Sequence, residues 1–266
     1  MFFSKQGEYQ PCGMFSLTHM IVLVFCIVVI AIGVYCSRTM KEKTIRRLTR
    51  IIAICVSILE SGKILFAHLQ GNTNLDSWVP LYFCSMFIYA CILSGYTKGV
   101  FQALGDAFIG TGGIVAGAMF LLMPSTSLTT YPMFHFLSCY SMLYHSLMVY
   151  LGIVYISHHF IVLEKKTLMH YMLFCTFFSI IAIILNLIYH SNFMFLREPY
   201  NIPLPFLKPF SEKLPICYTI LMYLSCTLGT YFILYMVLQL ISSIQFKIRK
   251  KEKNNGEDYS NQYVPH

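Results

Sequence analysis

Residues 20–34 read MIVLVFCIVVIAIGV, fifteen positions without a charged or hydrogen-bonding side chain, and residues 171–187 read YMLFCTFFSIIAIILNL, again without a charge. A helix in a soluble bundle carries a polar face at the 3.6-residue period. These two stretches carry none. An apolar run of about 20 residues, rising about 1.5 Å per residue, matches the hydrocarbon thickness of a bilayer. Inside that layer the backbone must satisfy its own hydrogen bonds, so each run is expected to be a helix.

Working outward from these two, the same reading yields seven apolar stretches, and only 30 of the 266 residues are charged. They run from Met14 to Ser37, Arg50 to Gln70, Ser77 to Tyr96, Val100 to Met123, Tyr131 to Ser157, Thr167 to His190 and Pro215 to about Gln245. The sequence therefore predicts an all-α, polytopic membrane bundle of seven transmembrane helices over residues 14–245. Residues 1–13 read as an external leader and residues 246–266 as a basic cytoplasmic tail, disordered from Lys250 onward. Lys5 and Glu8 near the start, with a long first apolar run behind them, argue for a true first helix over a cleaved signal.

Charge orients the bundle. Fourteen basic residues fall on one side: six between Arg38 and Arg50, then Lys98, Lys165, Lys166 and five from Lys247 to Lys253. The other side carries Lys5, Arg197, Lys208 and Lys213. Lysine and arginine accumulate in cytoplasmic loops, which puts the N-terminus outside and the C-terminus inside, as in a multi-pass protein of the plasma membrane. The net charge of +8 is then a topology signal. It points away from nucleic acid and toward membrane lipids as partners. The ten cysteines are scattered over the leader and six spans without metal-ligand spacing, so neither a disulfide framework, a metal site nor a cofactor is expected.

The informative side chains are those that are costly in a bilayer. Glu60 and Lys63 stand one turn apart near the middle of the second span. Such a pair either neutralises itself at i,i+3 spacing or marks a polar cavity. His145 falls near the middle of the fifth span with His135 ten residues earlier; Ser138 and Met142 lie between them. Each histidine is either a strut between helices or an acid–base group. Asp106 reads as a local cap or pair. Gly113-x-x-x-Gly117 lets another helix approach closely. The third span opens Trp78-Val79-Pro80, with Pro80 in its first helical turn and Cys84 one turn deeper. If the third and fifth helices are neighbours, Cys84 and His145 can meet, and a thiol beside an imidazole is the minimal arrangement for a covalent acyl-enzyme. Pro199, Pro203, Pro205 and Pro209 stiffen the external loop Ser191–Leu214 against regular helix, and that loop is either a lid over an outward cavity or a plain interfacial segment.

The series Val79-Pro80-Leu81-x-x-Cys84-Ser85, Leu104-Gly105 through Gly110, Gly112 and Gly113 to Pro124, Pro132-x-x-His135-Phe136, and Tyr144-His145-Ser146 resembles the YwaF family of bacterial integral membrane proteins. Asn192-Phe193-Met194-Phe195-Leu196-Arg197-x-Pro199 fits the same pattern, and the likeness covers about residues 50–245. That family is grouped with a eukaryotic transmembrane Cys/His phospholipid acyltransferase and, more distantly, with androgen-induced-type membrane lipid hydrolases. The resemblance implies His145 as general base, with Cys84 and His135 at family positions. It also shows two departures: Leu81 occupies the position of the eukaryotic nucleophile, and Tyr82 stands where the bacterial chains often carry histidine. Two functions follow as expectations. One is a lipid acyltransferase or hydrolase with Cys84 as nucleophile, His145 as base and Glu60 or His135 tuning the site. The other is a non-enzymatic transporter or small-molecule sensor built on the same intramembrane polar groups.

Overall fold

The computed structural model describes residues 1–200 and 204–261, with side chains described up to Phe246. Its regular elements are helices, and the described residues contain no strand. α1 (Leu17–Ser37) starts where the Ser16 hydroxyl accepts the His19 amide, a side-chain N-cap that satisfies one of the free amides of the first turn. α2 (Glu42–Leu69) follows a short turn and begins eight residues before the predicted span, because Lys43, Arg46 and Arg47 are themselves good helix formers.

The third apolar stretch departs most from expectation. It is not one long helix. A single turn, α3 (Leu75–Trp78), leads into a non-helical run from Val79 to Ser85, and only then does α4 (Met86–Tyr96) begin. Eleven residues rise only about 16 Å, roughly half the hydrocarbon layer. Pro80, expected in a first helical turn, instead lies in the irregular run. A proline donates no amide hydrogen and biases the residue before it toward extended backbone, here Val79 at φ −98°, ψ 120°. Among the described residues, six helices are long and apolar enough to cross a membrane.

The fourth apolar stretch is α5 (Gly99–Phe108), a π-turn over Ile109–Gly113 and α6 (Ile114–Leu122), forming one continuous rod. α7 (Phe136–Ser157) and α8 (Lys165–Tyr189) follow. The long connection after α8 is partly helical, contrary to expectation, with α9 at Leu207–Lys213. Pro209 fits there because it sits in the first turn, whose amides have no intrahelical partner. α10 (Pro215–Leu224) continues through a second π-turn, Ser225–Gly229, into α11 (Thr230–Asn261). The tail predicted to be disordered is thus helical in its backbone up to Asn261; its side chains and residues 262–266 lie outside the described part.

α5–α6 and α7 form the centre, with α2, α4 and α8 around them and α1 against α7. Tyr144, Tyr155, Tyr171, Phe87, Phe108 and Phe174 fill the core. Glycines set the close approaches. A Cβ at Gly152 would meet Ile114 and come 2.7 Å from the Ile109 carbonyl, and one at Gly117 would come 2.9 Å from the His145 carbonyl. The outer faces are apolar: Ile21, Phe25 and Ile32 on α1 are 61%, 66% and 58% exposed. Apolar surface this extensive belongs in lipid.

The stretch between Trp78 and Gly95 runs back along α2. Trp78 packs edge-on against His68, ring centroids 4.9 Å apart, and Gly95 accepts from Arg50 at 2.6 Å. The irregular run therefore packs alongside α2, with Leu81 and Ser85 buried and the five residues Val79, Pro80, Tyr82, Phe83 and Cys84 half-buried; non-helical backbone at such a depth is tolerated where it packs against protein.

Candidate functional site

The polar centre gathers around Glu60, which is 2% exposed. Its Oε1 accepts from Lys63 Nζ at 2.5 Å and, weakly, from Ser85 Oγ at 3.5 Å. Its Oε2 accepts from the Tyr140 hydroxyl. One turn further along α7, Tyr144 donates to the Cys84 carbonyl at 3.1 Å. The broken third stretch is thus pinned to α7 by Tyr144 and linked to α2 through Ser85 and Glu60. The i,i+3 pairing of Glu60 with Lys63 is present, and the carboxylate gains partners from two further elements. A buried carboxylate persists only when its charge is matched and its lone pairs are filled.

His145 lies elsewhere on α7. At 3.6 residues per turn, positions 140 and 145 diverge by roughly 140°, so Tyr140 faces Glu60 while His145 faces α6. There its ring stacks on Phe120 at 3.7 Å between centroids and 9° between planes. Nδ1 is 2.7 Å from the Ser141 carbonyl, which can only accept. This fixes the neutral tautomer with the proton on Nδ1 and leaves Nε2 as a bare acceptor. Among the described residues Nε2 has no partner, although the side chain is buried. An unsatisfied buried acceptor costs about 1–3 kcal/mol. Ser138 Oγ, two turns earlier on the same face, is also buried without a partner.

Cys84 and His145 are not hydrogen-bonded to each other, since one imidazole nitrogen faces Ser141 and the other has no partner. Glu60 and His145 likewise share no hydrogen-bond partner among the described residues. His135 belongs to a different structure. Its Nδ1 accepts the Leu137 amide at 3.1 Å as the N-cap of α7, so Nε2 carries the proton and donates to the Ser4 carbonyl at 3.1 Å. With both nitrogens engaged and Tyr131 stacked on its ring at 4.1 Å, His135 ties the residues before α1 to the start of α7. Asn186 holds the loop that follows α8, taking the Phe193 amide at 2.7 Å and donating to its carbonyl at 3.1 Å.

Sequence reasoning gave no role to Tyr140, Tyr144 or Ser85, although the two tyrosines sit at i,i+4 on one face. It also gave Asp106 only a local one. Asp106 is the partner of Arg46, receiving bonds at 2.6 and 2.8 Å on its two oxygens. Ser94 accepts from the same guanidinium at 2.9 Å, and Tyr155 bridges Ser94 and Thr49 at 2.6 and 2.8 Å. This network ties α2, α4, α5 and α7 at the end opposite His135. A shallow groove of about 330 Å³ lies outside the bundle, lined by Ser61, Ile64, Leu65, His68 and Trp78.

Helices of membrane length, apolar outer faces and a charged pair within one of those helices, its carboxylate buried, define a multi-pass integral membrane protein. The chain belongs to the TMEM164 family, a match that covers residues 14–248. No curated protein and no solved structure matches it. The likeness to YwaF-type chains, and the acyl-transfer chemistry it implies, lie outside that match.

Proposed function

We propose that this protein is a membrane-embedded enzyme of lipid acyl groups, an acyltransferase or hydrolase with Cys84 as nucleophile and His145 as base. The observation that carries the reading is the free Nε2 of His145, held as an acceptor by the Ser141 carbonyl. Orientation of one ring nitrogen by a carbonyl, with the other nitrogen left free to accept, is the arrangement a general base requires. Cys84 sits in the turn just before α4, two residues ahead of its first helical position.

In this reaction Nε2 takes the thiol proton and the thiolate attacks the ester carbonyl of a lipid. The tetrahedral intermediate collapses to a thioester, and the leaving alcohol recovers the proton from His145. Water or a second lipid hydroxyl, deprotonated by the same nitrogen, then releases the acyl group. Cys84 and His145 must close on each other when lipid binds. The irregular run Val79–Ser85 has no helical ladder to break, and catalytic hydrogen bonds are often loose before substrate arrives. Seven crossings, the third of them broken, with the N-terminus outside and the C-terminus in the cytoplasm, complete the proposal. A plasma-membrane location goes with it.

The closed network of Glu60, Lys63 and Tyr140 favours a second reading. A polar centre that already satisfies itself suits a transporter or sensor whose ligand opens it. The two readings separate in proteoliposomes containing phospholipid with a labelled acyl chain. The enzyme reading expects labelled fatty acid or transferred acyl lipid from wild type, reduced at least about 100-fold in Cys84→Ala and in His145→Ala. Turnover retained by both variants contradicts it, and absent turnover with ligand-dependent stabilisation supports the second reading.

A further inference from the structure

The two ends of the bundle differ in charge. Counted over residues 1–246 of the sequence, the end bearing the α1–α2 turn carries nine basic side chains against Glu42, Asp106 and Glu164, while the other end carries four of each sign. Two of those three acids lie against one arginine: Asp106 pairs with Arg46, and Glu42 is 3.8 Å from the same guanidinium. The remaining cations at this end have no carboxylate partner among the described residues.

Arg50 is the one with a built seat. Its Nε–H donates to the Gly95 carbonyl at 2.6 Å, and its guanidinium lies 5.5 Å from the centroid of the Tyr96 ring. A Cβ at Gly95 would come 3.0 Å from Arg50 Cγ, so the seat depends on that glycine. The terminal nitrogens have no protein partner among the described residues. A guanidinium oriented through Nε presents them as a fixed fork, the geometry that takes a phosphate in bidentate fashion. Arg47, one turn earlier on α2, and Lys98, three residues beyond Gly95, are both exposed. The same surface is apolar: Tyr96, Val100 and Phe101 are 54%, 60% and 62% exposed.

We infer that this end of the bundle binds the headgroup of an anionic phospholipid, with Arg50 holding the phosphate and Arg47 and Lys98 adding charge. The acyl chains lie along Val100 and Phe101, and those residues favour a lipid over a free phosphate. The site requires membrane insertion only; it stands or falls independently of the acyl chemistry.

The test is native mass spectrometry of the full chain released from nanodiscs of phosphatidylcholine alone or with phosphatidylglycerol. Wild type is expected to retain phosphatidylglycerol in preference, and raised salt should weaken the preference. Removing each cation should reduce it about fivefold. Arg50→Lys keeps the charge, loses the fork and should fall between wild type and Arg50→Gln. Should Arg50→Gln fail to fold, the surface variants Arg47→Gln and Lys98→Gln carry the test alone. Equal retention of both lipids, or variants that match wild type, would overturn the site. Stabilisation of the detergent-solubilised protein by inorganic phosphate as strong as that by phosphatidylglycerol would overturn its assignment to a lipid.

Discussion

Glu60 is held by three donors from three elements, and it shows how a charge is kept at membrane depth. Lys63 is 24% exposed in its side chain and depends on the carboxylate for its own neutralisation. Glu60→Ala leaves that ammonium without a partner and is expected to cost about 3 kcal/mol, read as a loss of thermal stability in detergent. Glu60→Gln with Lys63→Met, which removes both charges, should recover most of the loss. Tyr140→Phe withdraws one donor from a buried carboxylate and should cost about 1–3 kcal/mol by the same measurement. The ion pair was legible in the sequence, because spacing alone brings i and i+3 together. Tyr140 was not, because a tyrosine among apolar residues reads as core until its hydroxyl is seen to have a partner. His145 was legible as a position, but its facing was not. A stretch apolar on most sides does not specify which helix each side chain meets.

At the scale of elements, hydropathy located every apolar stretch yet missed the break in the third. Val79-Pro80-Leu81-Tyr82-Phe83 is as apolar as a helix, and averaging over it hides what Pro80 does to the backbone. The π-turn at Ile109–Gly113 was invisible for a similar reason, although Gly110, Gly112 and Gly113 marked a segment without side-chain bulk. There the Tyr171 hydroxyl comes within 2.8 Å of where a Gly112 Cβ would stand. Close helix approach at Gly117 agrees with the small-residue pattern, whereas Gly113 meets only Phe108 O at 3.3 Å and Phe87 at 3.7 Å or more. Gly117→Ala should therefore push against the His145 carbonyl and cost about 1–3 kcal/mol. Gly113→Ala should change stability by less than about 1 kcal/mol. Thermal unfolding of the two variants side by side checks the distinction.

For the whole molecule, basic residues gathered at one end set the expected orientation, with the leader outside. Protease applied to intact cells should remove an epitope fused to the N-terminus and spare one at the C-terminus; the reverse pattern would invert the topology. The central claim is narrower: a reactive thiol at the head of α4, made nucleophilic by the base on α7. Labelling purified protein with an alkyne-bearing long-chain β-lactone tests it most directly. The account predicts modification at Cys84, abolished in Cys84→Ala and at least about tenfold slower in His145→Ala. Labelling that persists unchanged in both variants, or that falls on the other cysteines alone, would contradict it.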